Sequence, residues 1–264
     1  MHDNEYIDKE LAYNSYTRKA VLQALKELEG LIDEKPRILD LGCGPGGHLE
    51  VMEEVFPEAS VTCVDISDPH LEKAKEISRS SDLETSFYRQ DAENLNLDGK
   101  FDLIWCADLL HLPEVDTSTV LQRIEGLMTE KSVIAVFHGN WLNQSILQCD
   151  RILEMKLGTA RTEKFKSYNK KRFTDTADKL SNSYEEEFIK KFSILEKPER
   201  KKTIEHMENI LEAYSSIEKE ADLSKKEKNR LNDIIDTGIR SYTENCDQYH
   251  YSISPIVYAG RLGE

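Results

Sequence analysis

Between residues 38 and 48 the chain reads Ile38-Leu39-Asp40-Leu41-Gly42-Cys43-Gly44-Pro45-Gly46-Gly47-His48. The apolar start is typical of a buried strand, and the glycines after it predict a tight turn that leads into a helix. Because glycine has no Cβ, backbone N–H groups of such a turn approach a ligand closely, and the helix N-terminus adds partial positive charge. The run therefore predicts a ligand-binding unit of strand, turn and helix.

Two classes of cofactor fit this turn. The spacing Gly42-x-Gly44-x-x-Gly47 satisfies the fingerprint of nicotinamide dinucleotide binding, so the glycines alone leave that class open. Asp40, at the end of the strand, would repel a pyrophosphate but attract a cofactor that carries an ammonium and a sulfonium. The acidic neighbour therefore favours the cationic cofactor.

Short apolar segments alternate with helical patterns on either side of this unit. Such alternation predicts an α/β fold, a Rossmann-like and mostly parallel sheet with helices on its faces. The predicted strands are residues 38–42, 60–66, 85–91, 101–107 and 132–138. A further strand is expected near 188–195, and Pro255 in the last apolar run, 249–262, predicts an antiparallel strand at the sheet edge or a bulged one.

The run around the glycines resembles motif I of class I S-adenosylmethionine-dependent methyltransferases, an acidic residue followed by GxGxG. The resemblance implies that Asp40, Gly42, Gly44 and Gly46 bind S-adenosylmethionine, with S-adenosylhomocysteine as the product. It extends to the next strand, whose final Asp65 would accept from both ribose hydroxyls while Ile66 packs on the adenine.

Later segments resemble further motifs of the same family. Asp91 would accept from the adenine amine and the Ala92 N–H would donate to the ring, while the carbonyl of Cys106 or Ala107 would accept from the cofactor ammonium. In many small-molecule members the next loop reads Leu-His-His, and this chain has Leu110-His111-Leu112. His111 is thus a candidate general base, because the pKa of an unperturbed imidazole lies near neutrality. A residue that only packs the loop is the alternative.

The resemblance also assigns residues outside the core motifs. An N-terminal helix would close over the methyl donor, with Arg18 holding the cofactor carboxylate and Tyr13 and Tyr16 facing the sulfonium or the substrate. His138, Asn140 and Trp141 lie at the carboxyl end of the fifth strand, where ligands bind in open α/β sheets, and are substrate candidates by position.

The chain is expected to divide into a lid, a core and inserted caps. The predicted parts are a helical lid at 1–35, a cofactor-binding core at 36–140, a helical cap at 141–187, and the last strands at 188–264 with a helical insert at about 199–246.

Composition narrows the partners. The chain has 264 residues and a formal net charge of −15, which disfavours a nucleic-acid substrate because the mean field repels phosphates. The five cysteines form no metal-binding or disulfide pattern, so no metal site is expected. No stretch resembles a signal peptide or a membrane span, and we expect a cytoplasmic monomer or homodimer.

These observations predict an enzyme, an S-adenosylmethionine-dependent methyltransferase that acts on a small organic acceptor. Two alternatives stay open: a nicotinamide-dependent oxidoreductase that uses the same turn, and an S-adenosylmethionine-binding protein without catalysis.

Overall fold

A computed structural model describes residues 4–112, 114–139, 175–191, 194–196, 224–229, 233, 251–253 and 255–262. The chain divides into two units. The first comprises Met1–Gly139, Arg172–Phe192 and Pro255–Glu264, and the second comprises Asn140–Lys171 and Ser193–Ser254.

The first unit is built around a seven-stranded sheet, and its elements follow in regular alternation. In chain order they are α1 (Asn4–Leu28), β1 (Arg37–Leu41), α2 (Leu49–Val55), β2 (Ser60–Asp65), α3 (Asp68–Ser78), β3 (Glu84–Arg89), a 3₁₀ turn (Ala92–Asn94), β4 (Phe101–Ala107), α4 (Thr117–Glu125), β5 (Met128–His138), α5 (175–183), β6 (Tyr184–Lys191) and β9 (Ile256–Leu262).

In the second unit the structure describes one two-stranded ladder. β7 (Ile194–Glu196) pairs antiparallel with β8 (Tyr251–Ile253). The predicted caps at 141–187 and 199–246 fall mostly outside the described residues. The strand expected near 188–195 is replaced by β6, which begins at Tyr184, and by β7.

The sheet has the strand order β3-β2-β1-β4-β5-β9-β6. The first five strands in this order are parallel to one another, and β9 runs antiparallel to both of its neighbours. The chain winds outward in one direction from β1 to β3 and then in the other from β4, so the order reverses between β1 and β4. Ligands bind at such a switch point, outside the carboxyl ends of the strands.

The predicted fold class is confirmed, but the predicted place of the last strand is wrong. β9 lies between β5 and β6, and the edge strand is β6. Pro255 immediately precedes β9, so its missing N–H removes no hydrogen bond from the ladder. Val257 and Ala259 are fully buried, as expected for an interior strand.

Amphipathic helices cover the sheet. The buried residues of α2 and α4 recur every three or four positions, which places one stripe of each helix against the sheet. In the second half of α1, between Ala20 and Leu28, the buried residues show the same spacing. α3 begins with Ser67 as N-cap, whose hydroxyl accepts from the His70 N–H at 3.4 Å. No described helix is long and apolar enough to cross a bilayer.

Candidate functional site at the carboxyl ends of β1, β2, β4 and β5

The glycine turn after β1 adopts a backbone that only glycine takes readily. Gly42, Gly44 and Gly46 have φ of +73°, +52° and +82°. The N–H groups of Gly42 and Cys43 both donate to the carbonyl of Val64, which ties the turn to β2. The turn therefore presents a fixed backbone surface at the switch point.

Close packing adds a second reason for one of these glycines. A Cβ on Gly46 would lie 3.0 Å from the Cα of Ala74 in α3, so a side chain there would force the helix away. A Cβ on Gly44 would meet nothing nearer than a carboxylate oxygen of Glu10 at 3.8 Å. Gly44 thus faces open space near the Glu10 side chain of α1, whereas Gly46 packs the turn against α3.

Asp40, at the end of β1, is a buried carboxyl group. Its exposed fraction is 2%, and its Oδ2 has no hydrogen-bond partner among the described residues. Burial and the negative charge of Asp65 raise the pKa of Asp40 to about 7. A buried carboxyl oxygen without a hydrogen-bond partner is costly. The predicted contact of Asp40 with a cationic cofactor stays a prediction.

Asp65, at the end of β2, is a well-ordered acceptor. Its Oδ2 accepts from the Gly44 N–H at 2.9 Å and its Oδ1 accepts from the Ser67 N–H at 2.8 Å. Burial acts to raise the pKa of Asp65, but the His70 imidazole and these two N–H groups outweigh it and leave the pKa below its usual value. The carboxylate keeps lone pairs for further donors, as its predicted contact with ribose hydroxyls requires.

His70, in the first turn of α3, connects Asp65 to the N-terminal helix. Its Nε2 lies 3.0 Å from Glu10 Oε2, and its Nδ1 lies 3.6 Å from Asp65 Oδ1. These two carboxylates raise the pKa of His70 to about 9, against the opposing effect of burial. A protonated His70 therefore joins α1 to the rim of the glycine turn.

Two further residues of α1 contact this edge of the sheet. The Tyr13 hydroxyl donates to Asp108 Oδ2 at 3.1 Å, and burial followed by the Asp108 charge raises the pKa of Tyr13 well above its usual value. Asn14 occupies the space that a side chain on Gly47 would need. The N-terminal helix α1 therefore lies against the glycine turn and against Asp108, the residue that follows β4.

Arg18 has partners on α2. Its guanidinium lies 2.8 Å from Glu54 and 3.4 Å from Glu50. Its predicted contact with the cofactor carboxylate stays a prediction. The side chain of Tyr16 lies outside the described residues.

The loop after β4 and the end of β5 bring three ligand-type side chains together. Ligand atoms of Asp108, His111 and His138 all lie within 4.8 Å of one another. The two imidazole rings are 4.5 Å apart between centroids and tilted by 47°. Burial lowers the pKa of His138 despite the nearby Asp108 charge, so this imidazole is neutral at pH 7. Asn140 and Trp141 lie outside the described residues.

A buried contact fixes the other side of the turn. The Trp105 indole N–H donates to His48 Nδ1 at 3.2 Å, and both rings also contact Phe137 edge-on or tilted. Burial lowers the pKa of His48 to about 4, so His48 accepts this bond as a neutral imidazole. The contact holds the start of α2 against β4 and β5.

On the adenine side the predicted residues are more exposed. Ile66 is 61% exposed after β2, which leaves an apolar surface for a ring to cover. Asp91 is the N-cap of the 3₁₀ turn, where it accepts from the Glu93 N–H at 2.9 Å, and Ala92 begins that turn half-buried. Cys106, whose carbonyl is predicted to accept from the cofactor ammonium and not to contact the adenine, is buried in β4. None of these placements tests the predicted contacts with the cofactor.

Residues 38–131 match the family model of the methyltransferase domain. This part of the chain is a methyltransferase domain. The predicted resemblance to class I S-adenosylmethionine-dependent methyltransferases, with S-adenosylmethionine as the cofactor, is confirmed.

Two curated relatives share parts of the methyltransferase domain. The malonyl-[acyl-carrier protein] O-methyltransferase of Priestia megaterium is 25% identical over 148 residues, which is 56% of this chain and 53% of that protein. The trans-aconitate 2-methyltransferase of Methylobacterium radiotolerans is 37% identical over 105 residues, 39% of this chain and 38% of that protein. The chain thus matches about half or less of these relatives' length.

Solved structures support the fold. One assigned as a type II methyltransferase from Anaeromyxobacter dehalogenans has a TM-score of 0.61 at 15% identity and covers 91% of this chain and 95% of its own. The geranyl diphosphate C-methyltransferase from Streptomyces coelicolor has a TM-score of 0.54 at 13% identity, with 99% and 86% covered.

Sequence reasoning missed three groups at this edge. Glu10 and His70 carried no local pattern, since one lies in a polar stretch and the other follows an ordinary N-cap. Asp108 follows β4 directly, so the rule that ligands bind at carboxyl ends of parallel strands was a signal that pointed to it.

Proposed function

We propose that the protein is an S-adenosylmethionine-dependent methyltransferase that methylates a small organic acceptor. The observation that carries the proposal is Asp40, a buried carboxyl whose Oδ2 has no described hydrogen-bond partner, beside a glycine turn at the switch point of the sheet. Desolvated carboxylates favour a cation, and S-adenosylmethionine brings both an ammonium and a sulfonium. A nicotinamide dinucleotide would instead place its pyrophosphate near Asp40 and Asp65.

The residues of the domain divide into two sets by position. Asp40, the N–H groups of the turn and Asp65 would hold the cofactor, with Ile66 and the Asp91–Ala92 pair on the adenine side. The cofactor supplies a methyl group already activated by the sulfonium, so the protein has mainly to align the acceptor and exclude water. Tyr13 and α1 would do the second task, since they close one side of the site.

The second set, on the β4 and β5 side, is proposed to contact the acceptor. His111 is the proposed catalytic residue there, and His138 lies beside it. Asn140 and Trp141, which follow in the sequence, are proposed substrate contacts. We expect His111→Ala to abolish turnover while the affinity for S-adenosylhomocysteine stays within about twofold.

Charge and the names of the relatives support a small acceptor. The net charge of −15 works against a nucleic-acid substrate, and the two relatives act on malonyl-[acyl-carrier protein] and trans-aconitate, according to their names.

Cys43, Cys63 and Cys106 are free thiols, consistent with a reducing compartment, and we propose a cytoplasmic monomer or homodimer.

Calorimetric titration of the purified chain with S-adenosylmethionine, S-adenosylhomocysteine and NAD tests the cofactor assignment. We expect the first two to bind and NAD not to. Tight binding of NAD alone would replace the proposal by the oxidoreductase alternative. Methyl transfer is then assayed with methyl-labelled donor against a panel of small carboxylic and hydroxy acids; binding without transfer to any acceptor, small or macromolecular, would support the non-catalytic alternative.

A further inference from the structure

Asp108, His111 and His138 form the one cluster of three or more metal-type ligands that the described part of the chain contains. Asp108 and His111 follow β4 and His138 ends β5, so the cluster lies at the carboxyl edge of the parallel strands. Ligand atoms from the three side chains fall within 4.8 Å of one another, a span that one ion with bonds of about 2.0–2.2 Å bridges after small side-chain movements.

The carboxylate of this cluster is held in place. Asp108 has a φ of +50°, which is unusual for a residue other than glycine. Its Oδ1 accepts from the Gly139 N–H at 2.9 Å and its Oδ2 accepts from the Tyr13 hydroxyl at 3.1 Å. Because each carboxylate oxygen has two lone pairs, both keep one for a cation, and such outer contacts are typical of metal ligands.

The two imidazoles are also suitably placed. His138 is buried at the end of a sheet strand, so its ring has little freedom, while His111 is half-buried on the adjoining loop. Their centroids are 4.5 Å apart and the rings are tilted by 47°, so they do not stack in parallel. Two nitrogens and one carboxylate oxygen converge from three different positions of the chain.

We propose that Asp108, His111 and His138 bind one divalent transition-metal ion, such as Fe²⁺, Co²⁺ or Zn²⁺. Imidazole nitrogens favour these ions over Mg²⁺ and Ca²⁺, which prefer all-oxygen sites. Three protein ligands leave coordination positions open, as in catalytic rather than structural metal sites.

The open positions suggest a role that rests on the proposed function. An acceptor hydroxyl or carboxyl oxygen binds the ion and loses its proton to solvent. Its lone pair then forms the new O–CH₃ bond as the S–CH₃ bond breaks, and that bonding pair stays on sulfur. The ion lowers the pKa of the bound acceptor oxygen, so no side-chain base is needed. In this role His111 acts on the acceptor by holding the ion.

The site is tested by titrating the metal-depleted protein with Co²⁺ and measuring the visible absorption of the bound ion. We expect one saturable site per chain in the wild type. His111→Gln and His138→Gln should each weaken it by more than about tenfold, since loss of an outer-sphere partner alone costs about 10–100-fold. Tyr13→Phe removes such an outer contact and should weaken it less than either ligand change.

Asp98→Asn is the matched control, because it neutralises an exposed loop carboxylate outside the cluster. It should leave Co²⁺ binding within about threefold of the wild type. Equal Co²⁺ binding by the wild type and His111→Gln, or no saturable binding by the wild type, would overturn the proposal. Circular dichroism on the same samples confirms folding. Titration with S-adenosylhomocysteine separates the two proposals, because a folded wild type that binds Co²⁺ but not S-adenosylhomocysteine refutes the methyltransferase and leaves the metal site standing.

Discussion

Replacing Asp40 by asparagine removes one charge from the cofactor slot and keeps the shape of the side chain. Wild-type Asp40 has a pKa of about 7, so it binds a cation fully only when it has lost its proton. Binding of S-adenosylmethionine should therefore strengthen as the pH rises towards 7. The asparagine variant should show no such dependence.

The size of the effect follows from the titration of one group. With a pKa of about 7, roughly 3% of the wild-type carboxyl is ionised at pH 5.5 and roughly half at pH 7, so affinity should rise by up to about fifteenfold over that range, the limit reached when only the ionised form binds. At pH 7 the variant loses a charged acceptor, which costs about 1.5–3 kcal/mol, or roughly 10- to 150-fold in affinity.

The stability of the ligand-free protein should change in the opposite direction. The pKa of Asp40 is raised from 3.8 to about 7 on folding, so the group destabilises the fold as the pH rises through that interval and above it. The complete shift corresponds to up to about 4 kcal/mol at pH 8. Asp40→Asn should therefore unfold at higher urea than the wild type at pH 8, with little difference at pH 4.

Isothermal titration calorimetry between pH 5.5 and 7 measures the affinity, and Asp98→Asn, which neutralises an exposed loop carboxylate, is the matched control. The control should reproduce the wild-type pH dependence. A wild-type affinity that stays constant across this range, or an unchanged affinity in a folded Asp40→Asn variant, would refute the assignment of Asp40 as the cation-binding group.

Three further predictions concern the turn and its neighbours. Asp65→Asn should weaken S-adenosylmethionine by about 1.5–3 kcal/mol in calorimetry, and an unchanged affinity would remove the ribose role. Gly46→Ala should lower the free energy of unfolding by at least about 1 kcal/mol more than Gly44→Ala, because both strain the backbone but only the former meets the helix at Ala74; equal losses in urea melts would contradict this. The raised pKa of His70 predicts a stabilisation of up to about 3 kcal/mol below pH 6.5 that is lost as the pH rises through about 9. In urea melts at pH 6.5 and 9.5, His70→Gln should remove most of that difference, and a wild type equally stable at both would refute the ion pair.

Much of the core could be predicted because its signals are local. The parallel strands other than β3 contain short apolar runs, and the boundaries of all five lie within a few residues of those predicted, with β5 beginning earlier than expected at Met128. The glycine turn was predictable for the same reason, since a positive φ at Gly42 needs the residue type that stands there.

The position of β9 shows where local patterns stop being informative. Pro255 predicts an edge strand or a bulged one, yet it lies one residue before an interior strand, and that offset is a matter of register. Whether a strand lies at the edge or inside depends on which other strand pairs with it, and here β6, 65 or more residues earlier in the chain, supplies the second partner.

The sequence by itself determined the methyltransferase domain, because a glycine turn after a buried strand and an acidic residue at the end of the next are short-range patterns with a direct backbone cause. Only the tertiary structure brought Glu10 to His70, Tyr13 to Asp108, and His111 to His138. The two residues of each pair belong to different helices, strands or loops, and their spacing in the chain carries no periodic signal. Their chemistry arises from burial and from the meeting of strand ends, which exist only once the sheet has formed.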